Sequence, residues 1–141
     1  MNRQELIAYV RAKGDGVVAT ATPEGAPEAA YVAIAATDSG ELVFDARIGS
    51  RKIANIRANP RVAVVIDGRD ETTLQCEGTA YIPVGVDRER CAAAYAEAFP
   101  QFVRSLSNDD IAVVRITLDW ARFGDFRERP HVVTDVALGA S

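Results

Sequence analysis

The sequence predicts a mainly β domain of the α+β class: a closed or partly closed antiparallel barrel of six strands with two to four flanking helices. Three observations lead there. Short extended runs are separated by turn formers, Pro23-Glu24-Gly25 and Thr37-Asp38-Ser39-Gly40, as in an antiparallel meander. Helical periodicity is confined to a few interrupting segments, which does not suit a parallel βαβ sheet. The 141 residues, 48% hydrophobic and 26% charged, fit one globular domain spanning 1–141, with an ordered core over about 2–126 and a tail over 127–141. Closure removes the unpaired edges that an open sheet would expose.

Each element has a local cause. Residues 2–13 read as a helix: Asn2 can cap it, Glu5 sits near its positive end, and Leu6 and Val10 share a face before Gly14 and Gly16 stop it. Strands are expected over 17–22, 29–36 and 41–46. Residues 50–59 break the strand rhythm, with Ile53 and Ile56 on one helical face and Asn59-Pro60 at the end. Residues 62–66 form an apolar run and read as a strand buried on both faces. Over 72–83, Leu74, Cys76, Ala80 and Ile82 alternate with polar residues, and Gly78 marks a bulge or a close approach. Residues 87–99 read as a helix capped by Asp87, with Cys91, Ala94, Tyr95 and Ala98 inward; 102–106 read as a further short helix. The last strand spans 111–126, with Val114, Ile116, Leu118 and Trp120 on one face. The final fifteen residues carry little pattern.

Composition narrows the function. Sixteen basic against twenty acidic residues give a net charge of −4, unsuited to binding nucleic acid through phosphate neutralisation. No window has the roughly 18 consecutive apolar residues of a membrane span, and the N-terminus lacks a secretory apolar core. Cys76 and Cys91 have no metal-binding spacing and read as reduced, buried thiols of a cytoplasmic protein. With a single histidine, no metal site is expected.

The most informative segment is Ser50-Arg51-Lys52 at the start of a helix. Two cations there oppose the helix dipole, and a bound phosphate would reverse that penalty by accepting from the free amides, the hydroxyl and both side chains. The alternative is that both cations point into water. The neighbouring strands are rich in alanine (Ala19, Ala21, Ala29, Ala30, Ala33, Ala35, Ala36 and Ala46). Small side chains would let a flat ring lie against the sheet, and they would equally suit a tightly curved barrel.

The stretch 41–64, with Ser50-Arg51-Lys52 followed by Asn59-Pro60, resembles the FMN-binding stretch of the pyridoxamine 5′-phosphate oxidase-like family. Gln75-Cys76-Glu77-Gly78-Thr79-Ala80 and Asp119-Trp120-Ala121-Arg122-Phe123-Gly124 are similar to its later strands. The resemblance extends over about residues 17–126. It implies a six-stranded split β-barrel of Greek-key type, assembled as a homodimer with FMN, or alternatively the deazaflavin F420, at the subunit interface. By position, Arg51 and Lys52 would hold the phosphate, with Ser50 at the same end. Tyr31, Val32, Ala33 and Ile34 would run along the isoalloxazine, and Asp45 and Ala46 would lie beside the ribityl chain or ring. Thr73 and Gln75 would offer polar contacts, and Trp120 would come from the partner chain. Asp45 and Ala46 depart from the aromatic or hydroxyl residue and the threonine common in the family, which removes a hydrogen bond or two.

The implied activity is FMN-dependent oxidation or reduction of a small organic substrate, with the flavin carrying the electrons and the protein orienting it. Tyr31 and Arg122 are candidate substrate contacts, and the catalytic residues are unassigned. Oxidation of pyridoxamine phosphate itself is not expected, because Arg127-Glu128-Arg129-Pro130-His131 does not match the spacing of those enzymes' C-terminal Arg/His motif. The alternative is a non-catalytic dimeric carrier of flavin, F420 or haem. For haem, His131 is the one histidine able to serve as axial ligand.

Overall fold

The computed structural model describes residues 1–139, so the last two residues of the expected tail lie outside it. Helix α1 (Arg3–Lys13) opens on a reciprocal cap: Asn2 Oδ1 accepts from the Glu5 amide at 2.9 Å, and Glu5 Oε1 accepts from the Asn2 amide at 3.1 Å. Gly14 ends it in the left-handed region at φ 77°. Strands β1 (Asp15–Ala21) and β2 (Pro27–Ala33) form a hairpin. Short β3 (Ala35–Ala36) follows, then β4 (Leu42–Arg47), α2 (Arg51–Ala58), β5 (Arg61–Ile66), β6 (Thr72–Tyr81), α3 (Gly85–Ala98), β7 (Ile111–Asp125) and β8 (Val132–Asp135).

The strands form one antiparallel sheet in the order β2-β1-β5-β6-β7-β4-β3, and β8 pairs with the far half of β7. Its two edge strands, β2 and β3, are consecutive in the chain and separated only by Ile34, whose amide donates to the Gly14 carbonyl at 3.0 Å. The chain therefore steps from one edge to the other at a single residue, which curls the sheet into a split barrel. The crossover from β4 through α2 to β5 supplies the Greek-key connection. Inside the curl, Leu6 and Val10 of α1 and Ile53 of α2 pack against Val18, Ile34, Phe44, Val64, Leu74 and Ile116. A second cluster joins Cys91 and Tyr95 of α3 to Ala35, Val43 and Val113.

Several expectations need correction. Among the described residues the sheet has eight strands rather than six, because the expected strand 29–36 breaks at Ile34 and because β8 forms within the tail. All four β8 residues are exposed, so backbone pairing with β7, not an apolar face, holds that strand. The strand β5 is not buried on both faces: Val62, Val64 and Ile66 are buried while Arg61, Ala63 and Val65 are exposed. Burial on both faces falls instead on β3, β4 and the start of β7, where α3 covers the outer side. Helix α3 begins at Gly85, and Asp87 does not cap it but pairs with Arg90 and Arg115; Ala98 is exposed. Residues 100–107 form two short 3-10 turns, Pro100–Phe102 and Ser105–Ser107.

Gly78 does mark a bulge. Glu77 pairs with Trp120 and Gly78 with Leu118, so Asp119 is an extra residue in β7. A Cβ on Gly78 would lie 2.3 Å from the Thr117 carbonyl oxygen, so nothing larger fits. The extra residue reverses the facing of the remainder of the strand. Ala121 takes the inner face and Trp120 turns outward, off the face that Val114 and Ile116 share.

Candidate anion-binding corner and the outer sheet face

Helix α2 is short and amphipathic: Ile53 and Ile56 enter the core, while Arg51 stays exposed at its start. Ser50 occupies the capping position with extended backbone (φ −74°, ψ 159°), yet its side chain makes no capping hydrogen bond. Its Oγ is buried and, among the described residues, has no hydrogen-bond partner. A buried hydroxyl without a partner is costly, and natural structures rarely leave one without a use.

Beside this hydroxyl lies a cavity of about 250 Å³ lined by Ser50, Arg51 and Lys52 and, from the β1–β2 hairpin, by Val18, Thr20, Glu28, Ala29 and Ala30. Arg51 Nη1 is 3.0 Å from Glu28 Oε2. The buried Asn55, one turn along α2, donates through Nδ2 to Thr20 Oγ1 at 3.0 Å and to Glu28 Oε1 at 2.8 Å. Among the described residues Lys52 has no carboxylate within ion-pair distance. Sequence reasoning missed Thr20, Glu28 and Asn55. The one available signal was Asn55, a polar residue on the inner side of α2 between Ile53 and Ile56.

Of the twelve residues proposed from the sequence, the cavity gathers Ser50, Arg51 and Lys52. Tyr31 is 69% exposed on the outer sheet face, where Asp15 raises its phenol above the ordinary value. Val32 and Ala33 are half-buried, and Ile34 is turned into the core. Asp45 accepts from the Tyr95 hydroxyl at 3.2 Å, and Ala46 is buried in the barrel. Burial, then the Asp45 carboxylate, pushes the Tyr95 phenol well above its usual range. Thr73 is half-buried and Gln75 exposed on β6, and Trp120 is half-buried on β7 with the Arg122 guanidinium 5.2 Å from its ring centre.

Register connects these scattered positions. One row of directly paired residues runs Ala29, Ala19, Ala63, Glu77, Trp120 across five strands; the next runs Tyr31, Val17, Val65, Gln75, Arg122. Paired residues share a face, so both rows lie on the outer side of the sheet. The first starts at the cavity wall and reaches Trp120 about 19 Å away, four strand spacings on. Its first three members are alanines, so this stretch of the outer face carries only small side chains.

A family model described as pyridoxamine 5′-phosphate oxidase matches residues 3–124. The chain belongs to the pyridoxamine 5′-phosphate oxidase family. A pyridoxine/pyridoxamine 5′-phosphate oxidase from Rubrobacter xylanophilus is 45% identical over 65 residues, which cover 45% of this chain and 30% of that relative. The chain thus matches under a third of that relative's length. Among solved structures, a haem-binding protein from Mycobacterium smegmatis superposes with a TM-score of 0.80 at 19% identity, over 96% of this chain and 58% of that one. A pyridoxamine 5′-phosphate oxidase-related, FMN-binding protein from Nostoc punctiforme superposes with a TM-score of 0.68 at 13% identity, over 92% and 86%. These likenesses establish the fold.

In this family member the corner offers a hydroxyl, the free amides at the start of α2, an ammonium and a guanidinium, a donor set suited to an anion with several oxygens. The Glu28 carboxylate is the one acidic group of the cavity wall. Among the described residues no group of three or more His, Cys, Asp or Glu stands where it could hold a metal ion, and no helix is long and apolar enough to cross a membrane.

Proposed function

We propose that this chain is an FMN-dependent oxidoreductase that works as a homodimer on a small organic substrate. The observation that carries the reading is the Ser50 hydroxyl, buried without a partner among the described residues, at the start of α2 in a cavity that Arg51 and Lys52 also line. A phosphate ester supplies the acceptor that this hydroxyl lacks, and Lys52 and the helix amides complete its shell. Ala29 and Ala30 leave room for the chain beyond the phosphate, and the Ala29-Ala19-Ala63 row lines the outer face next to the corner with small side chains. The family membership and the similarity to an FMN-binding protein of the same fold support the choice of flavin.

When bound, the isoalloxazine accepts a hydride or electrons; the chain's residues bind and orient it. Val17, Tyr31 and Val65, at 38%, 69% and 43% exposure, put an apolar patch on the outer face beside this row. Burial of that patch against a second copy brings Thr73, Gln75 and Trp120 of one chain toward the corner of the other. F420 offers a phosphate to the same corner and differs from FMN in the ring and in the tail beyond the phosphate.

The test is a titration with FMN followed by flavin fluorescence, together with light scattering. Micromolar or tighter binding, weaker binding of riboflavin, and a dimeric mass are expected; a monomer indifferent to FMN overturns the reading. Reduction of bound FMN by NADH or NADPH, and reoxidation by an added acceptor, identify an enzyme, whereas inertness identifies a carrier. Haem carriage is the second reading. It is favoured by the similarity to the mycobacterial haem-binding protein and by His131, exposed with its ring 5.0 Å from that of Phe126. A Soret band lost in His131→Ala would establish it.

A further inference from the structure

Glu28 does not belong to the sequence motif that drew attention to the corner, yet it holds the corner's most exposed cation. Its two oxygens are both engaged, Oε2 with Arg51 at 3.0 Å and Oε1 with Asn55 Nδ2 at 2.8 Å. Asn55 is buried and anchored in turn on Thr20. The carboxylate is therefore held at the cavity wall rather than free to swing into water. A phosphate docking beside Ser50 and Lys52 meets a fixed negative charge within a few ångströms and a guanidinium already ion-paired with it. The formal charge of the cavity wall, two cations and one carboxylate, is one unit short of a phosphomonoester dianion.

We propose that Glu28 is an affinity- and specificity-setting residue: its carboxylate competes with the ligand's phosphate for Arg51 and weakens the binding of phosphomonoesters. This rests on the phosphate reading of the same corner. Like charges a few ångströms apart at a half-exposed site repel by enough to change affinity about tenfold, and the effect acts only on ligands that carry the phosphate. Glu28 thus acts on discrimination between FMN and riboflavin, not on recognition of the ring. The asymmetry between the two cations has the same origin. Lys52, with no carboxylate partner among the described residues, supplies phosphate affinity directly, whereas Arg51 supplies it only as far as the ligand displaces Glu28.

The test compares the wild-type protein with Glu28→Gln, which keeps the side chain's shape and an oxygen for Asn55 but removes the charge. The Arg51 partner is mostly in solvent, so the ion pair adds little to folding, and the glutamine oxygen still accepts from Asn55; the variant is expected to fold. FMN should bind about tenfold more tightly to the variant, riboflavin equally to both, and the inhibition constant of inorganic phosphate, corrected for the tighter FMN binding, should also fall about tenfold in the variant. Equal shifts for FMN and riboflavin, an unchanged FMN affinity, or weaker FMN binding each overturn the proposal. A crystal structure of the wild-type protein with FMN gives a check independent of any variant. Arg51 should have left Glu28 for the phosphate, and a retained Arg51–Glu28 pair counts against the competition. If FMN binds tightly, and only the Glu28 substitution is without effect, the phosphate corner stands and the role of Glu28 falls. If neither protein binds FMN, the phosphate reading and this inference fall together.

Discussion

Where α3 meets β4 and β7, Arg90 grips Glu41 with both nitrogens, Nη1–Oε1 at 2.8 Å and Nη2–Oε2 at 3.3 Å, and reaches Asp87 at 2.8 Å. Arg115 pairs with Asp87 as well, and its Nε lies 3.3 Å from Glu41 Oε2, near enough for ion pairing though not aligned as a hydrogen bond. Thr37 and Ser39 add hydroxyl donors to Glu41. At the start of α2 the same residue types meet in smaller number. There one arginine shares one carboxylate, a lysine has none among the described residues, and a buried serine hydroxyl donates to nothing. The first cluster is nearly closed upon itself: each arginine pairs with two carboxylates, and among the described residues only its buried Arg115 Nε–H lacks a hydrogen bond; it ties a helix to a sheet. The second is open, with more donor capacity than the chain's own acceptors use. Charge alone does not separate fold from function; the degree of internal satisfaction does.

Substituting the open corner should therefore cost ligand and not stability, and the closed cluster the reverse. Arg51→Ala with Lys52→Ala is expected to weaken FMN binding by about a hundredfold or more, since two charge-assisted contacts are lost. Melting temperature should stay near that of the wild type, because the Arg51 side chain is mostly in solvent. An FMN affinity that survives the double substitution breaks the comparison at its strongest point.

In the closed cluster, Glu41→Gln should cost about 2 kcal/mol of folding free energy, because two arginines lose their shared carboxylate. FMN affinity should not change. Burial pushes the Glu41 carboxyl up, but hydrogen bonds from Arg90, Ser39 and Thr37 outweigh it and hold it below the ordinary value. Asp87 is likewise held low, first by Arg90. A carboxyl with a depressed folded-state value favours folding above its unfolded value, near pH 4, and loses that contribution as pH falls through the folded one. Wild-type stability should decline below about pH 4.5, and more steeply than that of Glu41→Gln. Denaturant melts at pH 7 and pH 3 measure both; parallel slopes would mean that the cluster is not what acid dissolves.

What the sequence disclosed depended on how local the cause was. The α1 cap needs only Asn2 and Glu5, three residues apart, and was legible. So was the Gly78 bulge, since a glycine interrupts an otherwise clean alternation. The consequence of that bulge was not legible, because the extra residue sits on the other strand, at Asp119, and turns Trp120 outward. The burial of β5 was misread for a similar reason: an apolar run does not show whether a helix will cover its second face, and α3 covers β4 and β7 instead. In the corner, Ser50, Arg51 and Lys52 are consecutive and stood out. Their partners enter through contacts spanning 27 and 35 residues, Asn55 to Glu28 and Asn55 to Thr20, which no window along the chain displays.

The finest test of the comparison is the smallest. A capping serine ordinarily stabilises its helix by about 1 kcal/mol through a hydrogen bond to a backbone amide. Ser50 makes no such bond. If its hydroxyl is kept for folding, Ser50→Ala should destabilise the protein by that ordinary amount. If it is kept for a ligand, the substitution removes a buried polar atom that has no partner, and stability should hold or rise slightly. FMN affinity should then fall by about tenfold, the share of one charge-assisted hydrogen bond to phosphate, while riboflavin affinity stays put. Side-by-side melts and titrations of this one variant thus ask of a single oxygen atom the question posed by the two clusters. A loss of stability with FMN binding intact would return Ser50 to the fold and leave the corner to its cations.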